Sequence, residues 1–168
     1  MSTTLIPARA EHVPVLAELI RTHGPNVWNW LPDEGVREHL RDIEQGHAHA
    51  VLALEDGGLL GAVTFCRTHG FQRYQAPERT GAEHGYVCEA VVRRDQAGRG
   101  LGAQLLRAAV QTMQAWGLQE VYIDRHEENA ASAGMMRKAG FVEIDTFAEP
   151  NRRPHGSGRT TVCRLGLS

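Results

Sequence analysis

The chain has 168 residues, 18 Lys+Arg against 20 Asp+Glu and a formal charge of −2 at pH 7, which predicts one domain spanning residues 1–168 with room for a core that needs neither disulfides nor a structural metal. With a pI near 6.5 there is no general positive field to draw in nucleic acid or an anionic membrane, so the expected partner is a small molecule or a peptide.

Leu5 and Ile6 predict a short first strand. Val13, Leu16, Ala17 and Ile20 recur at helical spacing and predict an amphipathic helix ending near Gly24-Pro25. A second helix is expected with Asp33 as its cap, Val36, Leu40 and Ile43 as its apolar stripe and Gly46 as its stop. Residues 47–55 and 59–67 read as an antiparallel hairpin around Asp56-Gly57-Gly58, both glycines tolerating the positive φ of a primed turn. The polar stretch 68–83 reads as a long loop, and 84–93 as a central strand. A helix follows over about 100–116, with Leu101, Leu105, Ala108, Ala109, Met113 and Trp116 facing inward. Val121-Tyr122-Ile123 is a short strand, 129–139 a helix closed by Gly140, and 141–148 and 159–166 two last strands around the basic loop 151–158. That order implies a mostly antiparallel α/β sheet with parallel pairing near residue 100.

The run Gln96-Ala97-Gly98-Arg99-Gly100-Leu101-Gly102-Ala103 leads from the β-branched Val91-Val92 into a helix. It presents successive backbone N–H groups at a helix N-terminus, where the dipole also favours an anion. Glycines remove side chains where a phosphate must approach, so a diphosphate-bearing cofactor is the natural guest. No lysine stands in the run, which excludes an ATP-type P-loop. Gly98-x-Gly100-x-x-Ala103, with Asp124 after the next strand, also fits the looser dinucleotide fingerprint. The helix and two strands that follow cannot complete a doubly wound sheet, which leaves an NAD(P)-binding enzyme as a remote alternative.

The segment from Ala90 to Leu106 resembles the acetyl-CoA motif of the GNAT superfamily of N-acetyltransferases, Gln/Arg-x-x-Gly-x-Gly/Ala. Asn129-Ala130-Ala131-Ser132-Ala133-Gly134-Met135-Met136-Arg137-Lys138-Ala139-Gly140-Phe141 resembles its second motif, Asn-x-x-Ala/Ser-x-x-Leu-Tyr-x-Lys-x-Gly-Phe. The resemblance implies a GNAT-like fold of the α/β (α+β) class: a mixed, mostly antiparallel sheet of about seven strands, flanked by about four helices and splayed at its central strands. It implies acetyl-CoA as donor, with the backbone of Ala97, Gly98, Arg99, Gly100, Leu101, Gly102 and Ala103 around the pyrophosphate and no metal. It further implies that the backbone of Ala90, Val91 and Val92 pairs with pantetheine like an added strand, and that Asn129, Ser132 and Met136 lie along the cofactor arm.

Two positions depart from the pattern. Ala97 stands where Gln or Arg is usual, so a side-chain contact is lost while the backbone cradle remains. Met136 stands where the family most often has a tyrosine that protonates the departing thiolate, which leaves that role vacant. A thiol, with pKa near ~8.5, leaves without much help. Gly140-Phe141 and the late glycine-rich loop are similar to the phosphinothricin-acetyltransferase-like branch. The implied activity is direct acetyl transfer to an amine of a small molecule, amino-acid derivative or peptide, by a monomer or homodimer. The vacant acid leaves a non-catalytic acyl-CoA-binding module as the competing reading.

Amine acetylation needs a base. Glu89, in the apolar stretch Val87-Cys88-Glu89-Ala90-Val91, is the first candidate, since burial would raise its pKa toward neutrality; pairing with Arg125 or exposure to solvent is the bland alternative. Glu83, His84 and Tyr86 stand in reserve as bases, and Tyr122 and His126 as proton donors in place of Met136. Trp28 and Trp30 border an acceptor cleft or simply pack, and Arg152, Arg153 and His155 hold an acidic acceptor or lie in solvent. Cys88 reads as a packed core thiol rather than a nucleophile, and His47-x-His49 lacks the third ligand a metal would need. The odd, dispersed Cys66, Cys88 and Cys163 fit reduced thiols in a cytoplasmic protein, and no basic or apolar leader opens the sequence.

Overall fold

The computed structural model describes residues 2–167; Met1 and Ser168, the two ends of the expected domain, lie outside the described residues. The elements run β1 (Thr4–Pro7), α1 (Val13–His23), α2 (Asp33–Glu44), β2 (His49–Glu55), β3 (Gly58–Thr68), β4 (His84–Val92), α3 (Leu101–Ala115), β5 (Glu120–His126), α4 (Ala130–Lys138), β6 (Val142–Ala148) and β7 (Arg159–Gly166). They form a seven-stranded sheet of order β1-β2-β3-β4-β5-β7-β6. The β4–β5 pair is parallel and the other pairs antiparallel.

Strand alternation divides the apolar residues between two cores. On β2, Val51 and Ala53 face α3 and α4 together with Leu105, Leu106, Ala109, Met113 and Met136. Ala50 and Leu52 face α1 and α2, joining Leu16, Ile20, Leu40 and Ile43. On β5, Val121 and Ile123 belong to the α3 core, so Tyr122 between them points to the opposite face. No helix covers that part of the face. The segment 69–83 does, through two short 3-10 turns at Gln72–Tyr74 and Pro77–Arg79, and Phe71 stacks on Tyr122 at 4.8 Å.

Two local expectations are corrected. Pro32, with extended backbone, is the N-cap of α2; Asp33 is its first helical residue, where its charge suits the dipole and pairs with Arg37 one turn on at 2.6 Å. The positive φ values of the β2–β3 turn fall on Asp56 (53°) and Gly57 (77°), while Gly58 already begins β3. Two consecutive left-handed residues define a type I′ turn, and Asp tolerates that conformation.

Candidate active site

The parallel ladder joins Gly85 to Val121, Tyr86 to Tyr122 and Val87 to Ile123, and ends there. Beyond it β4 stays on β3, through Ala90–Val63, Val91–Ala62 and Val92–Gly61, while β5 stays on β7. The two strands part, and the β4 edge at Ala90, Val91 and Val92 faces the opening. A bulge sharpens the divergence: Thr64 pairs with Glu89 and Phe65 with Val87, so Cys88 is the extra residue. The Glu89 N–H displaced by the bulge donates to Thr64 Oγ1 at 3.1 Å, and the Thr64 hydroxyl is hydrogen-bonded to His39 Nε2 at 2.7 Å. Burial lowers the His39 pKa, in keeping with a neutral ring.

A cavity of about 480 Å³ occupies the parted strands. Its walls come from the α1–α2 loop, from β4, from the end of β5, from α4 and from Arg152 and Arg153 in the β6–β7 loop. Glu89 faces it. Burial raises the Glu89 carboxyl from 4.5 to about 7; a hydrogen bond from Asn29 and the charges of Arg152 and Arg153 pull it down, and the charge of Asp124 pushes it up. The α1–α2 loop is pinned by its own polar groups: Asn26 Oδ1 accepts the Trp28 N–H at 2.8 Å, and Asn29 Nδ2 donates to Gly24 O at 3.0 Å. Trp28 and Trp30 both line the cavity, and Trp28 packs on His126 with ring centroids 4.7 Å apart.

At the mouth of the opening the chain turns through Gly98 (φ 85°) and Gly100 (φ 75°), and a Cβ on either would meet nothing within 4 Å. The first bond of α3 is Gln104 N–H to Gly100 O at 3.1 Å, so the amides of Leu101, Gly102 and Ala103 have no carbonyl one turn back. The side chains of Leu101 and Ala103 are buried, which leaves backbone as the only part of them an anion can reach. Arg99 reaches away to Glu55 Oε2 at 2.9 Å. Open space, positive φ and unbonded amides fit a diphosphate, and the free β4 edge fits an extended arm.

Asn129 lines the cavity and also caps α4, its Oδ1 accepting the Ser132 N–H at 3.1 Å, so the NH2 half of its amide is the part left for a ligand. Ser132 and Met136 line the cavity as well, Met136 with only 3% of its surface exposed.

Some expected residues sit elsewhere. Tyr122 is 0% exposed, sealed under Phe71 and His84, and is not among the cavity walls, so it is not placed to protonate a thiolate there. His126 does line the cavity, but Nε2 bonds to His155 O at 2.7 Å and Nδ1 accepts the Glu128 N–H at 3.0 Å, which makes it a loop tie. His84 is fully buried in the cluster around Tyr122, and Glu83 pairs with Arg67 at 3.3 Å. Arg125 pairs with Glu143 rather than with Glu89. Cys88 lines the cavity because the bulge turns it there; its Sγ lies 3.7 Å from Cys66 Sγ, and that neighbour together with burial pushes the thiol up.

Asp124 is the main residue the sequence reading missed as part of this site. It accepts from Arg152 Nη1 and Nη2 at 3.1 and 3.3 Å and from the Tyr86 hydroxyl at 3.1 Å. The signal that singled out Glu89, a charge inside an otherwise apolar strand, is absent at Asp124, which is followed directly by Arg125 and His126. Asn29 and His39 carry no comparable signal.

A sheet opened at its one parallel pair, with a glycine-rich helix start at the mouth, is the framework around this cavity. The family model for the acetyltransferase (GNAT) family matches residues 15–141, and the chain belongs to that family. Over 118 residues it is 32% identical to an L-methionine sulfoximine/L-methionine sulfone acetyltransferase of Pseudomonas paraeruginosa, a match covering 68% of this chain and 64% of that protein. The chain thus spans just under two thirds of that relative's length. Among solved structures it is similar to mosquito arylalkylamine N-acetyltransferase like 5b, with TM-score 0.76 and 15% identity over 99% of this chain and 100% of that one. It is also similar to a GNAT family acetyltransferase from Elizabethkingia anophelis with acetyl-CoA bound, with TM-score 0.72 and 15% identity over 98% of each chain. At those identities the structures establish the fold.

Proposed function

We propose that the protein is an acetyl-CoA-dependent N-acetyltransferase that transfers the acetyl group directly to an amine of a small molecule, amino-acid derivative or peptide. The observation that carries this reading is Glu89, a carboxyl raised to about 7 and facing the cavity where β4 and β5 part. Acetyl-CoA, when bound, supplies an acetyl group activated as a thioester. The backbone of residues 97–103 holds its diphosphate, the β4 edge at Ala90–Val92 pairs with its arm, and Asn129, Ser132 and Met136 flank that arm. Glu89 accepts the proton that the amine must lose to attack, and the indoles of Trp28 and Trp30 wall the acceptor side. A thioether cannot donate a proton, so Met136 serves by packing, and the thiolate departs on its own acidity.

The similarity to a methionine sulfoximine/sulfone acetyltransferase supports a small acceptor and the phosphinothricin-acetyltransferase-like branch. The reading also carries a cytoplasmic location and a monomer or homodimer. Among the described residues no helix is long and apolar enough to cross a membrane.

The test is release of free thiol from acetyl-CoA in the presence of a panel of amines, with thermal unfolding as a binding assay. Amine-dependent release is expected, and Glu89→Gln should lower kcat at least about tenfold while keeping acetyl-CoA binding, a positioned base being worth ~10²–10⁴. A melting shift with acetyl-CoA but no release with any amine would favour the non-catalytic module, for which the buried Met136 argues. No shift at all would sink the acetyl-CoA reading.

A further inference from the structure

We propose that Arg153 is the receptor for a carboxylate on the acceptor, so that the amine acetylated is that of a free amino acid, its ammonium toward Glu89 and its carboxylate toward Arg153. This deepens the acetyl-transfer reading and rests on it.

Arg153 lines the same cavity as Glu89, yet its side chain is only 6% exposed. Its Nε donates to Thr160 Oγ1 at 2.9 Å. Its Nη2 is buried with no hydrogen-bond partner, and the nearest acid, Asp124 Oδ1, is 3.6 Å away, close enough for attraction and too far for a bond. The reason lies in how Asp124 is used: its oxygens already accept two bonds from Arg152 and one from Tyr86. Arg152 is in the opposite condition, 46% exposed and bonded to Glu149 Oε1 at 3.1 Å as well as to Asp124.

A buried guanidinium with an unmet donor is costly, because that N–H has given up water without replacement. It is also oriented, since Thr160 holds one edge of the planar fork. A carboxylate entering the cavity restores the missing bond with the geometry guanidinium matches best. The other end of such a guest carries the amine, and the cavity offers Glu89 for it. A peptide acceptor lacks this match, because its free carboxylate lies far along the chain from its terminal amine. Arg125, the other buried arginine lining the cavity, has both terminal nitrogens engaged, by Glu143 and by the carbonyls of His126 and Glu127, and only its inner Nε lacks a partner.

The experiment compares four amino acids, glycine, L-methionine, L-methionine sulfone and L-phenylalanine, each with its own primary amide, as acceptors for the full chain. At least one acid should exceed its amide by tenfold or more in kcat/KM. In R153Q that ratio should collapse toward one, and in R153K, which keeps the charge without the fork, it should fall between. Equal use of acid and amide by the wild type, or a preserved ratio in R153Q, overturns the proposal. Should R153Q lose cooperative melting, the wild-type ratio and R153K decide. Should the wild type acetylate nothing, calorimetry of the same amino acids on the CoA-loaded protein separates the two ideas. Acid binding at least tenfold weaker in R153Q than in wild type upholds the receptor while the enzyme reading falls. Equal or absent binding overturns both.

Discussion

Glu89 owes its acid strength to position, and that makes it measurable in two ways. As the proposed base it must be ionised, so kcat/KM should rise with pH around a midpoint near 7, and the limb should vanish in Glu89→Gln. The same shift bears on stability. Between pH 4.5, its ordinary value, and about 7, an unfolded chain releases the proton that the folded one keeps, so the folded state binds more protons and stability falls as pH rises. The loss amounts to roughly 3–4 kcal/mol at most, at ~1.36 kcal/mol per pKa unit. It should be complete above pH 7 and missing from Glu89→Gln in urea titrations across that range. Tyr122→Phe should leave kcat within about twofold, because the ring is sealed under Phe71 and His84 and does not line the cavity; a hundredfold loss would show that the hydroxyl takes part after all. The contrast between these two residues marks what sequence can carry. A charge in an apolar strand is visible as a misfit whichever way it points. Tyr122 is no misfit, and only the three-dimensional pairing says which face of β5 it occupies.

At the scale of elements, the sequence pattern located the four α-helices and seven strands of the described residues, most of which bury one face against one of the two cores. What it missed were ends and covers. Pro32 rather than Asp33 caps α2, since capping depends on a backbone angle as well as on side-chain chemistry. The stretch 68–83 looked like a plain loop, yet it does the work of a helix over β4 and β5, without a repeating pattern to reveal it. The parting of β4 and β5 was legible only through the family motifs; a three-rung ladder and a bulge at Cys88 leave no periodic trace. Asn129 joins both kinds of information, because one amide caps α4 and lines the cavity. Asn129→Ala should cost about 1 kcal/mol through the lost cap. Asn129→Asp keeps the acceptor oxygen and removes the NH2 donor, so it should hold its melting temperature to within a degree or two by a melting scan while weakening acetyl-CoA binding. If both variants bind acetyl-CoA as the wild type does, Asn129 is a cap and nothing more. Gly100→Ala tests the neighbouring element: at φ 75° a Cβ is strained by about 1–2 kcal/mol even in open space, so destabilisation without any clash is expected in denaturant unfolding.

Across the whole molecule, the sheet is two antiparallel blocks, β1–β4 and β5–β7–β6, joined edge to edge by one short parallel ladder. Glu89 belongs to the first block, and Asp124 and Arg153 to the second. A cofactor arm along Ala90–Val92 would supply hydrogen bonds beyond Val87, so acetyl-CoA should slow amide exchange of backbone groups on the β4 edge and leave β1–β2, at the remote side of the sheet, unchanged. That seam has a kinetic consequence. With the arm absent, the carboxylate of one block and the guanidinium of the other flank a gap with no floor, and an acceptor finds only half its contacts. With the arm in place the floor exists and both ends of the acceptor are engaged at once. Turnover should therefore follow an ordered sequence, donor before acceptor, with CoA competing against acetyl-CoA and the acetylated product inhibiting noncompetitively. Acceptor binding to the bare protein should be weaker than to the CoA-loaded protein by tenfold or more.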